Sequence, residues 1–180
     1  MGDAERFRER PSAMSEARFI ECFGSVYEHS AWIAKATWRR GLNRDHDTVA
    51  ALSAAFAETV NDASQSERLA LIRAHPDLAG RAAVAGTLTA ESTTEQAGAG
   101  IDQCSPAEFA RFQQSNQAYR QKFDFPFVMA VKGSDRAAIL AAFETRLAND
   151  YATEFGRAIN EIQRIARFRL QAIAENQSEN

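Results

Sequence analysis

His75 and Pro76 stand side by side at the end of an apolar-periodic run, and Ser92-Thr93-Thr94-Glu95-Gln96 follows after a stretch rich in alanine and glycine. These are residue types that move protons and hold polar small molecules. An imidazole titrates near neutrality and serves as a general acid or base. Serine, carboxylate and amide groups add hydrogen bonds of both senses. Pro76 disfavours helical backbone at His75, so a helix must end near Ala74 and display the imidazole on stiff, extended backbone. The Ser92–Glu95 spacing has a second explanation, because serine followed three positions later by glutamate is also a helix capping box. Local patterning leaves both readings open. The other histidines, His29 and His46, sit in polar linkers and read as solvated surface residues.

A third chemical group comes from the end of the chain. At 100° per residue, Phe155, Ala158, Ile159, Ile162, Ile165, Ala166, Leu170 and Ile173 form one apolar stripe, and Arg169 falls inside it. Arg157, Arg164 and Arg167 point elsewhere, toward water. A guanidinium on a core face cannot shed its proton and must meet an anion. That anion is an internal Asp or Glu or a bound carboxylate, unless the long stem carries the charge to the surface.

The elements that must position these groups are helices. Ser15 caps a run that stops at Gly24, and Ala31 to Arg40 ends in two arginines and Gly41. From about Thr48 to Asn61, Val49, Leu52, Phe56 and Val60 recur at helical spacing. The run before His75 is capped by Ser66 or Ser64. Residues 77–91 could form one weak helix. Ser105-Pro106-Ala107-Glu108 combines a cap, a first-position proline and a capping-box glutamate, and Phe109, Phe112, Asn116, Tyr119 and Phe123 then trace one face. Further helices are expected from about Ser134 to Asn149 and from about Tyr151 to Glu175. Residues 123–133, FDFPFVMAVKG, lack helical periodicity, and Pro126 prevents a regular helix, so they read as a short buried extended segment. The expected fold is all-α: one helical-bundle domain over residues 15–176, after a flexible tail over residues 1–14.

Composition narrows the partners. At 180 residues the chain can bury roughly 70% of its unfolded surface without staples. A net charge of −3 with dispersed Lys and Arg offers no footprint for nucleic acid. Cys22 and Cys104 have no second Cys or His at zinc spacing, so neither a metal site nor a redox pair is expected. No window approaches a membrane span, no signal peptide opens the chain and no peroxisomal tripeptide closes it, so the expected location is cytoplasmic. Patterning alone also admits a helical interaction module in which the His-Pro turn and the Ser-x-x-Glu cap are only structural.

Four ordered motifs carry a specific resemblance: His75-Pro76-Asp77-Leu78-Ala79-Gly80; Leu88-Thr89-Ala90-Glu91-Ser92 with Glu95-Gln96-Ala97-Gly98; Lys122-Phe123-Asp124-Phe125-Pro126-Phe127-Val128; and Arg164-Ile165-Ala166 with Arg169-Leu170. Together with Phe23-Gly24-x-Val26-Tyr27-Glu28-His29-Ser30 they cover the chain from about Ser15 to Ile173. The chain thereby resembles the 2-oxo-4-hydroxy-4-carboxy-5-ureidoimidazoline (OHCU) decarboxylases of urate breakdown. Ala31 departs from the pattern, many relatives having proline there. The resemblance implies an all-helical, often dimeric protein that needs no metal or organic cofactor. It implies conversion of the ureidoimidazoline to (S)-allantoin and carbon dioxide, linked to urate oxidase and hydroxyisourate hydrolase. It assigns His75 as the catalytic histidine and Ser92, Glu95, Gln96 and Arg169 as substrate-contacting positions, with Glu95 expected to share in catalysis by setting the hydrogen bonding of His75 or contacting the ring and ureido groups. Pro76, Phe127 and Val128 become pocket wall or backbone contacts. No transthyretin-like domain accompanies the motifs, so the bifunctional form is not expected, whereas a related ureido compound stays open as substrate.

Overall fold

In a computed structural model of the chain, which describes residues 5–80 and 86–179, every regular element is a helix. Eight α-helices are present among the described residues: α1 (Glu16–Phe23), α2 (Ala31–Arg39), α3 (Val49–Asp62), α4 (Gln65–Ala74), α5 (Ala90–Gly98), α6 (Pro106–Phe123), α7 (Arg136–Leu147) and α8 (Tyr151–Glu179). The fold is all-α, as the periodicity requires. Two compact units divide the chain: residues 1–71 with 163–180, and residues 72–162.

In the first unit, Ser15 caps α1 by accepting the Arg18 N–H, and Thr48 caps α3 by accepting that of Ala51. Phe19, Phe23, Tyr27 and Phe56 form a buried aromatic core, with Phe19 and Phe23 rings 4.8 Å apart and Phe19 and Phe56 rings 6.0 Å apart. The expected flexible tail is packed from residue 5 onward, residues 1–4 lying outside the described part. Phe7 is buried, its ring meets Phe23 edge-on at 5.3 Å, and its N–H donates to the Asp47 carbonyl. Phe7, Pro11 and Met14 bury apolar surface along that segment, and Ser12 donates to the Asp47 carboxylate. His46 does more than face water: its Nδ1 accepts the Asn43 N–H and closes a short capping box. His29 is exposed.

In the second unit, Ser105 and Glu108 cap α6 reciprocally behind Pro106, as expected. Phe112, Asn116, Tyr119 and Phe123 are buried along one face of that helix. Residues 125–131 run as a buried extended segment against it, with Tyr119 meeting Phe127 edge-on at 5.2 Å and Phe127 stacking on Phe143 at 3.8 Å. Helix α7 starts at Arg136, two residues after Ser134, because Asp135 supplies the cap to the Ala138 N–H. Helix α8 runs past Glu175 to Glu179. The weak helix expected over 77–91 falls partly on residues 81–85, which lie outside the described residues; of its described part, residues 78–79 form a turn, 86–89 are not helical, and a helix begins at Ala90.

Candidate active site

Helix α4 is opened by Ser64, not Ser66: Ser64 Oγ accepts the Glu67 N–H while the Glu67 carboxylate accepts that of Ser64. It ends at Ala74, where Pro76 requires, and the His75 N–H closes the last turn on the Ile72 carbonyl at 3.1 Å. His75 is buried at 6% exposure, so the imidazole is enclosed by protein. Pro76 is half-buried behind it.

Ser92 and Glu95 are not the start of a helix. Helix α5 begins at Ala90, and its cap is Thr89, whose hydroxyl accepts the Ser92 N–H at 3.2 Å. The capping-box reading is therefore overturned: a threonine three residues upstream takes the role, and Ser92 becomes the third helical residue. Ser92 and Gln96 are four apart, hence on one face, and both are buried, at 4% and 5% exposure. Glu95 is half-buried beside them. The cap no longer accounts for these polar groups, which strengthens the case for chemistry.

Gln96 is oriented by the backbone. Its Oε1 accepts the Ala79 N–H at 3.1 Å, and because a backbone N–H only donates, this contact fixes the amide orientation. Gln96 Nε2 is then left buried without a hydrogen-bond partner among the described residues. Burying a donor unpaired costs about 1–3 kcal/mol, a cost that a bound acceptor removes.

Phe127 and Val128 are buried, at 1% and 3% exposure, on the extended segment. Two buried charges that sequence reasoning missed hold this segment. Arg146 donates to the Val128 carbonyl at 2.7 Å, stands 4.2 Å from the Phe127 ring centroid and pairs with buried Glu154 at 2.5 Å. Glu161 accepts the Ala130 N–H at 2.9 Å. The Tyr119 hydroxyl donates to Glu154 at 2.5 Å, and burial followed by that bond drives its pKa far above the ordinary phenol value. The only available signal was periodicity: Glu154 and Glu161 lie within a turn of the apolar stripe, and Arg146 follows Phe143 on α7.

Arg169 belongs to the other compact unit, where it is buried as the stripe demanded. Its Nη1 lies 3.0 Å from Glu28 Oε2 and 3.3 Å from the Ser25 carbonyl. The surface-snorkelling reading fails, since Arg169 is only 6% exposed, and Glu28 is an internal counter-charge. Glu28 was visible in the Phe23–Ser30 motif, but nothing in its spacing marked it as buried. Cys22 and Cys104 are free, half-buried thiols whose pKa burial pushes up, so neither is an activated nucleophile. No group of three His, Cys, Asp or Glu residues able to hold a metal occurs among the described residues.

The scaffold is helical, and a buried histidine, serine and amide lie at the end of α4 and on one face of α5. Residues 12–171 match the family model described as OHCU decarboxylase. The 2-oxo-4-hydroxy-4-carboxy-5-ureidoimidazoline decarboxylase of Halalkalicoccus jeotgali is 44% identical over 156 residues, covering 87% of this chain and 85% of that protein. A uric acid degradation bifunctional protein of a Bacillus species is 39% identical over 89% of this chain, which spans only 30% of that protein. Among solved structures, an (S)-allantoin synthase superimposes with a TM-score of 0.72 at 29% identity, covering 91% of this chain and 52% of that one. This chain belongs to the OHCU decarboxylase family.

Proposed function

We infer that this protein decarboxylates 2-oxo-4-hydroxy-4-carboxy-5-ureidoimidazoline to (S)-allantoin and carbon dioxide in urate catabolism. Family membership supports the reaction class, and the buried, partnerless donor of Gln96 is the observation that carries the site. The substrate carbon that loses carbon dioxide also bears a hydroxyl and adjoins an imine. As the carbon–carboxylate bond breaks, its electron pair forms a double bond to the imine carbon, and the imine pair goes to nitrogen, which takes a proton. The hydroxyl proton then leaves, a carbonyl forms, and the former imine carbon is protonated on one face. The electron sink lies in the substrate itself.

In this reading His75 handles the proton on the hydroxyl and carboxylate side, and Glu95 sets its hydrogen bonding or meets the ring and ureido groups. Gln96 donates to a substrate carbonyl, Ser92 adds a second hydrogen bond, and Arg169 neutralises anionic charge. Pro76 and the Phe127–Val128 segment wall the site and exclude water from the departing carboxylate. Replacement of His75 by asparagine is expected to lower kcat/KM for freshly generated substrate by about 100-fold or more, with unchanged helical circular dichroism. Stereospecific allantoin formation at the native rate by the folded variant would sink the assignment.

The same reading places the enzyme in the cytoplasm, as a homodimer, after urate oxidase and hydroxyisourate hydrolase. Its resemblance to a bifunctional uric acid degradation protein supports the pathway, and no helix among the described residues is long and apolar enough to cross a membrane.

A further inference from the structure

The peptide bond between Leu78 and Ala79, just beyond the His-Pro break, is gripped on both edges by side-chain amides. Asn116 Nδ2 on α6 donates to the Leu78 carbonyl at 2.8 Å, and the Ala79 N–H donates to Gln96 Oε1 on α5 at 3.1 Å. Gln113 Nε2 donates to the next carbonyl, Ala79 O, at 2.6 Å. The backbone needs this grip, because Ala79 has a φ of 52°, in the left-handed region that alanine occupies only when its surroundings hold it there. Facing a carbonyl, Asn116 must present its NH2 group, and its Oδ1 is left buried without a hydrogen-bond partner. Facing an N–H, Gln96 must present its oxygen, and its Nε2 is left over in turn. Three amides therefore run head to tail, from Asn116 through the Leu78–Ala79 peptide to Gln96. The chain ends in a buried donor, and each amide polarises the next.

We propose that Asn116 is a positioning residue that sets the hydrogen-bonding sense of Gln96, so that the site offers a donor to a carbonyl oxygen of the ligand's ring or ureido arm. The identity of that ligand rests on the decarboxylase reading. Were the Leu78–Ala79 peptide to turn over, its carbonyl would face Gln96, the Gln96 amide would reverse to donate to it, and an acceptor would face the ligand. A carbonyl would then meet an oxygen. Asn116 thus determines specificity through two intervening amides without touching the reacting atoms.

The test is a double-mutant cycle on (S)-allantoin binding by calorimetry, with Gln96→Ala, Asn116→Ser and the two combined. Each single variant is expected to weaken binding about tenfold, as loss of one hydrogen bond does. The double variant should bind within about twofold of Gln96→Ala, because Asn116 acts only through Gln96. Additive losses, or full affinity in a folded Asn116→Ser protein, overturn the proposal. The Gln96 side-chain amide resonances of the ligand-free protein give an arm independent of substrate identity: they should move in Asn116→Ser, and resonances that stay in place also overturn it. A wild-type protein that neither binds allantoin nor turns over the ureidoimidazoline would instead defeat the decarboxylase reading, leaving the resonances to decide the role of Asn116. Should Asn116→Ser fail to fold, Asn116→Asp, which keeps the side chain's shape and replaces the donating NH2 with an oxygen, takes its place, with the same pattern expected.

Discussion

The buried charge on α8 illustrates how one residue type constrains its surroundings. Arg169 cannot deprotonate, so its burial required an anion, and Glu28 at 3.0 Å provides one inside the same unit. Removing one member of such a pair strands the other. Arg169→Met is expected to lower the unfolding free energy by about 3–5 kcal/mol, measured by urea denaturation. Adding Glu28→Gln should recover part of that loss, because the stranded carboxylate disappears with it. Losses that simply add would mean the two residues are not energetically coupled.

At the scale of elements, the turn after the His-Pro break and the cap of α6 are the places where sequence and geometry meet most tightly. A Cβ at Gly80 would stand 2.7 Å from Asp77 Cβ and 2.9 Å from the Asp77 carbonyl, so alanine there must push the turn open. Gly80→Ala should cost about 1–3 kcal/mol by thermal melting and raise KM, since the displaced turn carries the N–H that orients Gln96. An unchanged melting temperature would show that the turn yields freely. On α6, hydrogen bonds from the Ser105 backbone and hydroxyl, then from Arg136, hold the Glu108 carboxyl down at about 2. A carboxylate whose pKa is lower folded than unfolded contributes stability above its unfolded value. That contribution is lost as pH falls from the ordinary 4.5 toward about 2. The Glu108 carboxyl carbon should therefore titrate near 2 by NMR, and a midpoint at the ordinary value would mean that the cap does not form in solution.

For the whole molecule, the expectation from the family resemblance is a homodimer. Sedimentation equilibrium at micromolar concentration should return twice the chain mass of 19.9 kDa, and a single-chain mass would exclude the dimer. The helical scaffold was largely legible because its signals are local. Ser15, Thr48 and Ser105 sit where caps must sit, Gly24 and Pro76 stop what precedes them, and Pro126 marks the extended segment. Where a local signal was ambiguous, it misled. Ser92 and Glu95 matched a capping box, but Thr89 was an equally good cap one turn earlier, and the earlier helix start prevailed.

By itself, then, the sequence determined the all-helical class, the helix end that precedes His75, the family, and the fact that Arg169 needed an anion. These follow from backbone sterics, 3.6-residue periodicity and ordered motifs, all properties of short stretches of chain. Only the tertiary structure decided which anion Arg169 meets, that Arg146 and Glu161 hold the Phe127–Val128 segment, and that Asn116 and Gln96 grip one peptide bond from opposite edges. Those pairings join residues far apart along the chain. A side chain's hydrogen-bonding sense is settled by whichever donor or acceptor folding brings to face it.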